Sequence, residues 1–543
     1  MARTDKLAAG VLLAVLALLA APRLPTPPTP PENQWLAAAE RGGQLPWWCP
    51  EAGGGYPLLG SSLGAGCYPL RALDTGGARW RTLIHLLLAA GGGYLALRRL
   101  SLAVWPAAAG AAGVWLVLAR AAGGVPLGVW EGACWLTWLA AGLAEAARGT
   151  ARGWVLAAGA AALVALAGGL PLPTRLVAAV ALLGLAAAWP RRRLGPLLAA
   201  GLLATALTAV QWLPWLALRR AWGAPLGPAD PAWLPLGARL LWPAAGAGVV
   251  ALVARLAPGA GRIVAILAMV ALMLGARPTL LTPPPEPSAA DLELARRGPR
   301  ILAVAGADAV WGANRQLAQP GVANLAIATP WPSPRWSDLL AWLDGEGRAE
   351  PATRRRWLAL LRVGAGLKSG GGLVDAGSRP FPELWLCPRW VSAAGPAQAA
   401  ALTRRPDWRP DGYAILERQA VEPPRRGRVG EVLWQEVGRQ RVTARVWCEQ
   451  PHELVLARGA APGWQARIDG APAPVEPVDA VLLGVAVGGG THRVDFVYNP
   501  IAARLGLWLS LAGLAAGLGW AVAADPHQLV LSRRAAAYRR AAS

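Results

Sequence analysis

The chain has 543 residues, 55% of them apolar, with five cysteines and a formal net charge of +22. Its apolar residues arrive in long runs, which argues against one large soluble domain and for a membrane protein. Nearly all the positive charge is arginine, spread over loops and helix ends without a basic domain or reading motif, so nucleic acid is set aside as a partner.

The N-terminus, MARTDK followed by an apolar run from Leu7 to about Leu24, has the form of a signal peptide without a small-x-small cleavage site, and is expected to stay as an anchor. Apolar stretches of about 17 to 25 residues predict spans at Leu7–Leu24, Thr82–Leu97, Ser101–Leu118, Pro126–Ala147, Trp154–Leu170, Leu172–Trp189, Leu194–Leu218, Leu236–Leu256, Ile263–Leu281 and Ile501–Ala523. The expected fold class is therefore a polytopic α-helical membrane protein of about ten spans, with an outer α/β plus antiparallel β-sandwich domain before the last span. Basic residues agree with a cytoplasmic N-terminus: Arg98–Arg99, Arg148, Arg152, Arg191–Arg193, Arg255 and Arg262 fall inside, as do Arg533, Arg534, Arg539 and Arg540 of the tail. Arg120 and Arg219–Arg220 fall outside and oppose the scheme.

This topology divides the chain into a membrane domain at 1–283 with its first outer loop at 25–81, an outer α/β subdomain at 284–435, a β-sandwich at 436–500, a final helix at 501–524 and a basic tail at 525–543. The expected location is the bacterial inner membrane, multi-pass, with both termini cytoplasmic and the large domain outside. Within the first loop, residues 44–70 combine Pro and Gly turns with aromatics suited to a membrane–water boundary.

In the outer region, Arg300–Val304 and Leu384–Val391 read as strands, and Trp336–Leu343 and Arg354–Leu361 as amphipathic helices. Arg441–Trp447 and His492–Tyr498 alternate as strands do. Asp469-Gly470 is a hairpin signal, and Gly488–Gly490 marks another tight reversal. Cys49 and Cys67 share the first loop, and Cys387 and Cys448 the outer domain. Each pair is read either as a disulfide in an oxidising compartment or as buried thiols. No Cys/His spacing fits zinc.

Several motifs resemble one family. LPWWCPEAGGGYPLLGSSLGAGCYPL is similar to the first-loop signature of the YfhO-like bacterial membrane proteins, IHLLLAAGGGYLALRRL to their second helix, and LTAVQWLPWLAL to an AxQLLP helix end. WLALLRVGAGL and LWLCPRWV resemble segments of the family's outer domain. APGWQARIDG followed by GVAVGGGTHRVDFVYNP matches the closing pattern. The resemblance implies a GT-C-like protein that transfers a sugar from a polyprenyl-phosphate carrier to an envelope glycan acceptor in contact with membrane lipid. A non-catalytic accessory protein of the same pathway is the alternative, and a lipid-linked sugar transporter a weaker one.

Such transfer needs an outer-face carboxylate, acting as base or holding a divalent metal, together with cations for the lipid phosphate. The first-loop Asp usual in the family is absent; Glu32 is its nearest substitute, and a solvated loop acid is the other reading of it. Topology adds Glu131, His85, Arg175, Gln211 and Arg239, each near the outer end of a span, where polar groups are costly unless they face the interior or water. Arg175 and Arg239 are candidates to hold the phosphate; helix-end snorkelling is their alternative. Trp47 and Trp48 are candidates to bind the sugar. Trp331, Trp336, Trp385, Trp390 and Trp464 also suit sugar stacking, with core packing as the competing use.

Overall fold

Long stretches of Ala and Leu with few β-branched residues favour helix, and helices occupy most of the described N-terminal part. The computed structural model describes residues 10, 47–49, 55–57, 67–71, 78–122, 127–168, 194–222, 300–303, 323–324, 333–344, 350–367, 373–375, 380–418 and 430–523. The helical body comprises α1 (Ala78–Arg99), α2 (Val104–Ala121), α3 (Leu127–Ala147), α4 (Ala151–Gly168), α5 (Leu194–Leu207) and α6 (Ala209–Trp222), joined by the C-terminal α10 (Ile501–Ala523).

The ten-span expectation is overturned. Among the described residues only α10 is long and apolar enough to cross a membrane, with a mean hydropathy of 1.7. The α5–α6 pair, bent by 72°, raises the number to two if it counts as one span. Counting Ala and Gly as apolar overstated the other runs. The sequence of α1 includes Arg79, Arg81, Arg98 and Arg99, that of α3 includes Glu131 and Glu145, and the apolar parts of α2 and α4 are only Val104–Ala119 and Ala151–Ala167. The expected spans at Leu172–Trp189, Leu236–Leu256 and Ile263–Leu281, and all of Leu7–Leu24 but Gly10, lie outside the described residues.

A stripe of small residues docks α10. Ala503, Gly506, Gly513 and Gly517 are its buried positions, and a Cβ at Gly506 would lie 2.4 Å from the Ala209 carbonyl oxygen. This spacing allows backbones to approach closely, as in small-xxx-small helix pairs. Ser510, on the same face, explains the α5–α6 bend. Its hydroxyl accepts from Val210 N–H at 3.0 Å and donates to the Ala206 carbonyl at 3.1 Å. Those two backbone groups would otherwise bond each other in a continuous helix, so Ser510 is inserted into the ladder, a recognised cause of kinks.

The β-rich part of the chain is built in three layers. One sheet has the order β10 (Glu431–Val437), β11 (Arg441–Cys448), β17 (Gly490–Tyr498), β13 (Trp464–Ile468) and β14 (Ala471–Ala473). Against it packs a six-stranded sheet ordered β7 (Leu384–Cys387), β12 (His452–Leu456), β16 (Leu482–Val487), β15 (Glu476–Val478), β9 (Ala414–Leu416) and β8 (Trp390–Ser392). Val442, Val446, Leu454, Leu456, Val485 and Phe496 are among the residues that fill the space between the sheets. On the far side of the second sheet, α7 (Pro334–Asp344), α8 (Pro351–Leu360) and α9 (Pro396–Thr403) bury Trp336, Leu339, Trp357 and Ala399 against Trp385, Val455 and Leu482. The central strand β12 is thus buried on both faces, which accounts for its unbroken run HELVL. A four-stranded mixed sheet orders β4 (Ala323–Asn324), β3 (Arg300–Ala303), β5 (Val363–Leu367) and β6 (Leu373–Asp375).

Several local expectations meet their outcome here. The Asp469-Gly470 turn joins β13 to β14 with φ of 51° and 87°, the left-handed pair a type I′ turn needs. Gly488–Gly489 instead carries the chain from one sheet to the other. The stretch Leu384–Val391 splits into β7 and β8 around Pro388, because proline cannot donate to a ladder. A division at 435 cuts through β10, and β7, β8 and β9 share a sheet with β12, β15 and β16, so the expected α/β and sandwich subdomains form one unit. None of the five cysteines is in a disulfide. Cys387 faces the helical layer and Cys448 the space between the sheets, so the central sheet separates them.

The first loop reaches this unit. Strand β1 (Trp48–Cys49) pairs with β2 (Tyr56–Pro57), and Trp48 enters the sandwich core with its ring centroid 5.2 Å from that of Trp464 and 4.7 Å from that of Tyr498.

Candidate functional site

Buried polar side chains gather where α1 meets α3. Arg81 and His85 are four residues apart on α1, and Glu131 and Trp135 four apart on α3, so each pair shares a helix face. The two helices approach closely at Gly92, where a Cβ would lie 2.9 Å from the Trp138 backbone nitrogen. Tyr68, from the first loop, completes the group just before a single 3₁₀ turn.

The contacts form a connected network. Arg81 grips Glu131 with two parallel hydrogen bonds, Nε to Oε1 and Nη2 to Oε2, the latter at 2.9 Å. Both side chains are excluded from solvent, and bidentate pairing is the geometry that compensates such burial best. His85 Nδ1 lies 2.8 Å from the Arg81 carbonyl oxygen, which assigns the proton to Nδ1. Nε2 then accepts from the Tyr68 hydroxyl at 2.5 Å. Trp135 Nε1–H donates to the Tyr68 oxygen at 2.6 Å, and Glu131 Oε1 lies 3.6 Å from His85 Nε2. Trp130 shields the group, its ring centroid 5.9 Å from the imidazole.

Chemically, this is a closed proton-handling chain beside a neutralised carboxylate. Arg81 offsets the charge of Glu131 through both carboxylate oxygens. A divalent metal does not fit. Both Glu131 oxygens are held by arginine and both imidazole nitrogens are engaged, and no group of three or more His, Cys, Asp or Glu side chains suited to a metal occurs among the described residues.

Of the residues singled out from sequence, His85 and Glu131 come together. Gln211 is buried on α6, and its side-chain nitrogen has no hydrogen-bond partner among the described residues. Its neighbour Val210 packs in the same cluster as Tyr68 and Trp135. Trp48 is in the sandwich core, and Trp47 packs half-buried against it. Trp336, Trp385 and Trp464 are also core residues. Glu32, Arg175, Arg239 and Trp331 lie outside the described residues. Sequence reasoning missed Arg81, Tyr68 and Trp135. Arg81, four residues before His85, had been taken as the end of the loop, and the i,i+4 spacing was the signal available.

Fold and site together define a helical body with a buried ionic network, tied to a three-layer β unit. No protein-family model, curated protein or solved structure matches the chain.

Proposed function

We propose that this chain is a membrane-anchored protein of the bacterial envelope that transfers a sugar from a polyprenyl-phosphate carrier to an envelope glycan at the outer face of the inner membrane. The motif resemblance supplies the class of reaction. The observation that carries the reading is the buried network of Arg81, Glu131, His85 and Tyr68, one member of which belongs to the first-loop signature itself. Charged side chains shut away from solvent are costly unless paired, and clusters of buried titratable groups mark functional-site candidates. Membrane attachment is supported by α10, whose Leu505, Trp508, Leu514, Leu518 and Val522 are exposed on a face turned away from the helical body.

The network suggests a substrate-gated base. The lipid phosphate competes with Glu131 for the Arg81 guanidinium, and Glu131, once released, has its oxygens free to accept a proton beside His85. The acceptor hydroxyl oxygen then attacks the anomeric carbon and its proton passes to Glu131. The bond from that carbon to the phosphate oxygen breaks, with the electron pair leaving on the phosphate held by Arg81.

The accessory reading is favoured by one specific observation: in the structure both Glu131 oxygens are engaged by Arg81, so Glu131 itself is not a free base. Envelope sugar analysis in a host lacking the protein separates the two. Complementation with Glu131→Gln, or with Arg81→Gln and Glu131→Gln together, is expected to restore membrane-located protein but not the sugar. Full restoration of the sugar by Glu131→Gln would overturn transfer and leave the accessory role.

A further inference from the structure

The six-stranded sheet has one weak seam. Strands β8 and β9, with α9 between them, form a parallel β–α–β unit. That unit joins the antiparallel remainder of the sheet through β15, by the single residue pair Val478–Leu416. Side chains do most of the holding around this pair. Asp479, just past β15, takes the place of a backbone acceptor: its Oδ1 accepts from Ile415 N–H at 2.9 Å, and its own N–H donates to the Ile415 carbonyl at 2.9 Å. Arg335, reaching in from α7, spans the seam by gripping Glu417 beyond β9 and donating to the Ala480 carbonyl beyond β15 at 3.0 Å. Arg418 spans it again, 3.0 Å from Glu476 on β15 and 3.6 Å from Glu453 on β12.

Unfavourable features gather at this seam. Asp479 and Glu453 are both shut away from solvent, and Asp479 Oδ2 and Glu453 Oε2 have no hydrogen-bond partner among the described residues. Asp479 and Ala480 have φ of 51° and 67°, and a left-handed alanine is strained. The carboxylates of Glu417, Glu453, Glu476 and Asp479 face only the guanidiniums of Arg335 and Arg418 among the ion pairs described at the seam. The other ionisable groups acting on or with Asp479 are Cys387 of β7 and Tyr413 beside β9, and neither supplies a positive charge. Strain and unsatisfied groups of this kind persist only where the surroundings hold them, and they collect at switch regions. The described acids do not form a group suited to a metal; a proton on each of the two buried carboxyls is what neutralises them.

We infer that the β9–β15 seam is a proton-operated latch, closed while Asp479 and Glu453 are protonated and opened locally when they ionise. Opening unpairs β9 from β15 and gives both carboxylates access to water. Burial pushes Asp479 from its ordinary 3.8 up to about 7, and Glu453 from 4.5 up to about 8. The closed seam therefore binds both protons more tightly than the open one. Its stability is full below about pH 4, falls as pH rises, and stops falling above about pH 8. The latch does not depend on the proposed sugar transfer.

The test is hydrogen–deuterium exchange of the full chain in detergent, followed peptide by peptide across that pH range and corrected for the intrinsic exchange rate. The amides of Ile415 and Asp479 should lose protection as pH rises, by up to about tenfold per pH unit for each proton released. Peptides of β11 and β17 should keep theirs. Asp479→Asn retains an acceptor for Ile415 N–H but cannot ionise, so it should make the dependence shallower. Glu453→Gln should do the same, and the two together should leave protection flat. The wild-type profile is decisive even where a variant fails to fold. Constant protection at β9 in the wild type would overturn the latch. So would a loss shared equally by β11 and β17, or an unchanged pH dependence in the doubly substituted chain.

Discussion

Glu453 is the best place to perturb the β unit. It lies on β12, opposite Cys387 across the β12–β7 pair, and is 1% exposed. Its side chain crosses over Gly484, where a Cβ would lie 2.6 Å from Oε1. Oε2 has no hydrogen-bond partner among the described residues, although the Arg418 guanidinium lies 3.6 Å away. Arg418 is shared with Glu476, and Asp479 is buried nearby. Burial pushes the Glu453 carboxyl from its ordinary 4.5 up to about 8, against the pull of Arg418. The folded state therefore holds this proton more tightly than the unfolded chain. The resulting penalty is absent below about pH 4.5, grows as pH rises, and is complete above about pH 8. At about 1.4 kcal/mol per pH unit, it is on the order of 5 kcal/mol. Glu453→Gln removes the charge that must be buried. With about 2–4 °C of melting temperature per kcal/mol for a unit of this size, the variant should melt at least 10 °C (roughly) above wild type at pH 9 and close to it at pH 4.5. The assay is melting of the full chain by near-ultraviolet circular dichroism across that range. Asp479, pushed up to about 7 by burial, leaves the variant a residual slope at lower pH. Equal slopes for wild type and variant between pH 7 and 9 would refute the reasoning.

Three further outcomes are expected. Gly506→Leu should undock α10 from α6, since even a Cβ meets the Ala209 carbonyl; overpacking of this kind costs about 1–3 kcal/mol or more, read as a lower melting temperature and faster proteolysis of the α10 junction. Trp48→Ala should destabilise the sandwich by about 3–5 kcal/mol, measured by denaturant unfolding, and Trp48→Phe should recover part of it. At the β13–β14 turn, Asp469 accepts from His492 and from Arg493 N–H. The hydrogen bond from His492 holds Asp469 low, and the same bond holds His492 high. The pair's contribution is therefore lost as pH falls through the Asp469 pKa and as it rises through that of His492, and Asp469→Ala should flatten both limbs of a stability–pH profile.

Local patterning made much of the β unit legible. Alternation marked Arg441–Trp447 and His492–Tyr498, Asp-Gly marked the turn, and the run Ile501–Ala523 has the bounds of α10. Long-range partnership was not legible. Nothing near Glu131 signals that Arg81 will grip it, and nothing near Leu384 signals that it will pair with Leu456. From its Pro and Gly neighbours Trp48 reads as a boundary aromatic and a candidate to bind sugar; its destination is set by Trp464 and Tyr498, against which its ring packs. The span count failed for a related reason. Apolar runs report that a segment will be buried, but not whether lipid or other helices will bury it, and Ala-rich helices such as α4 bury Ala157, Ala158, Ala160 and Ala161 against their neighbours.

The lodging of Trp48 beside Tyr498 also sets an order of events during synthesis. The chain emerges at about 5–20 residues per second, and roughly 450 residues separate the two aromatics, so about 20–90 s pass before the acceptor strand exists. Through that interval the first loop carries an indole with nowhere to go. It is held in place only once β17, among the last strands made, has paired with β13. The earliest part of the β unit is therefore the last to be completed, and an arrest anywhere before β17 leaves the loop exposed to proteases and to neighbouring chains.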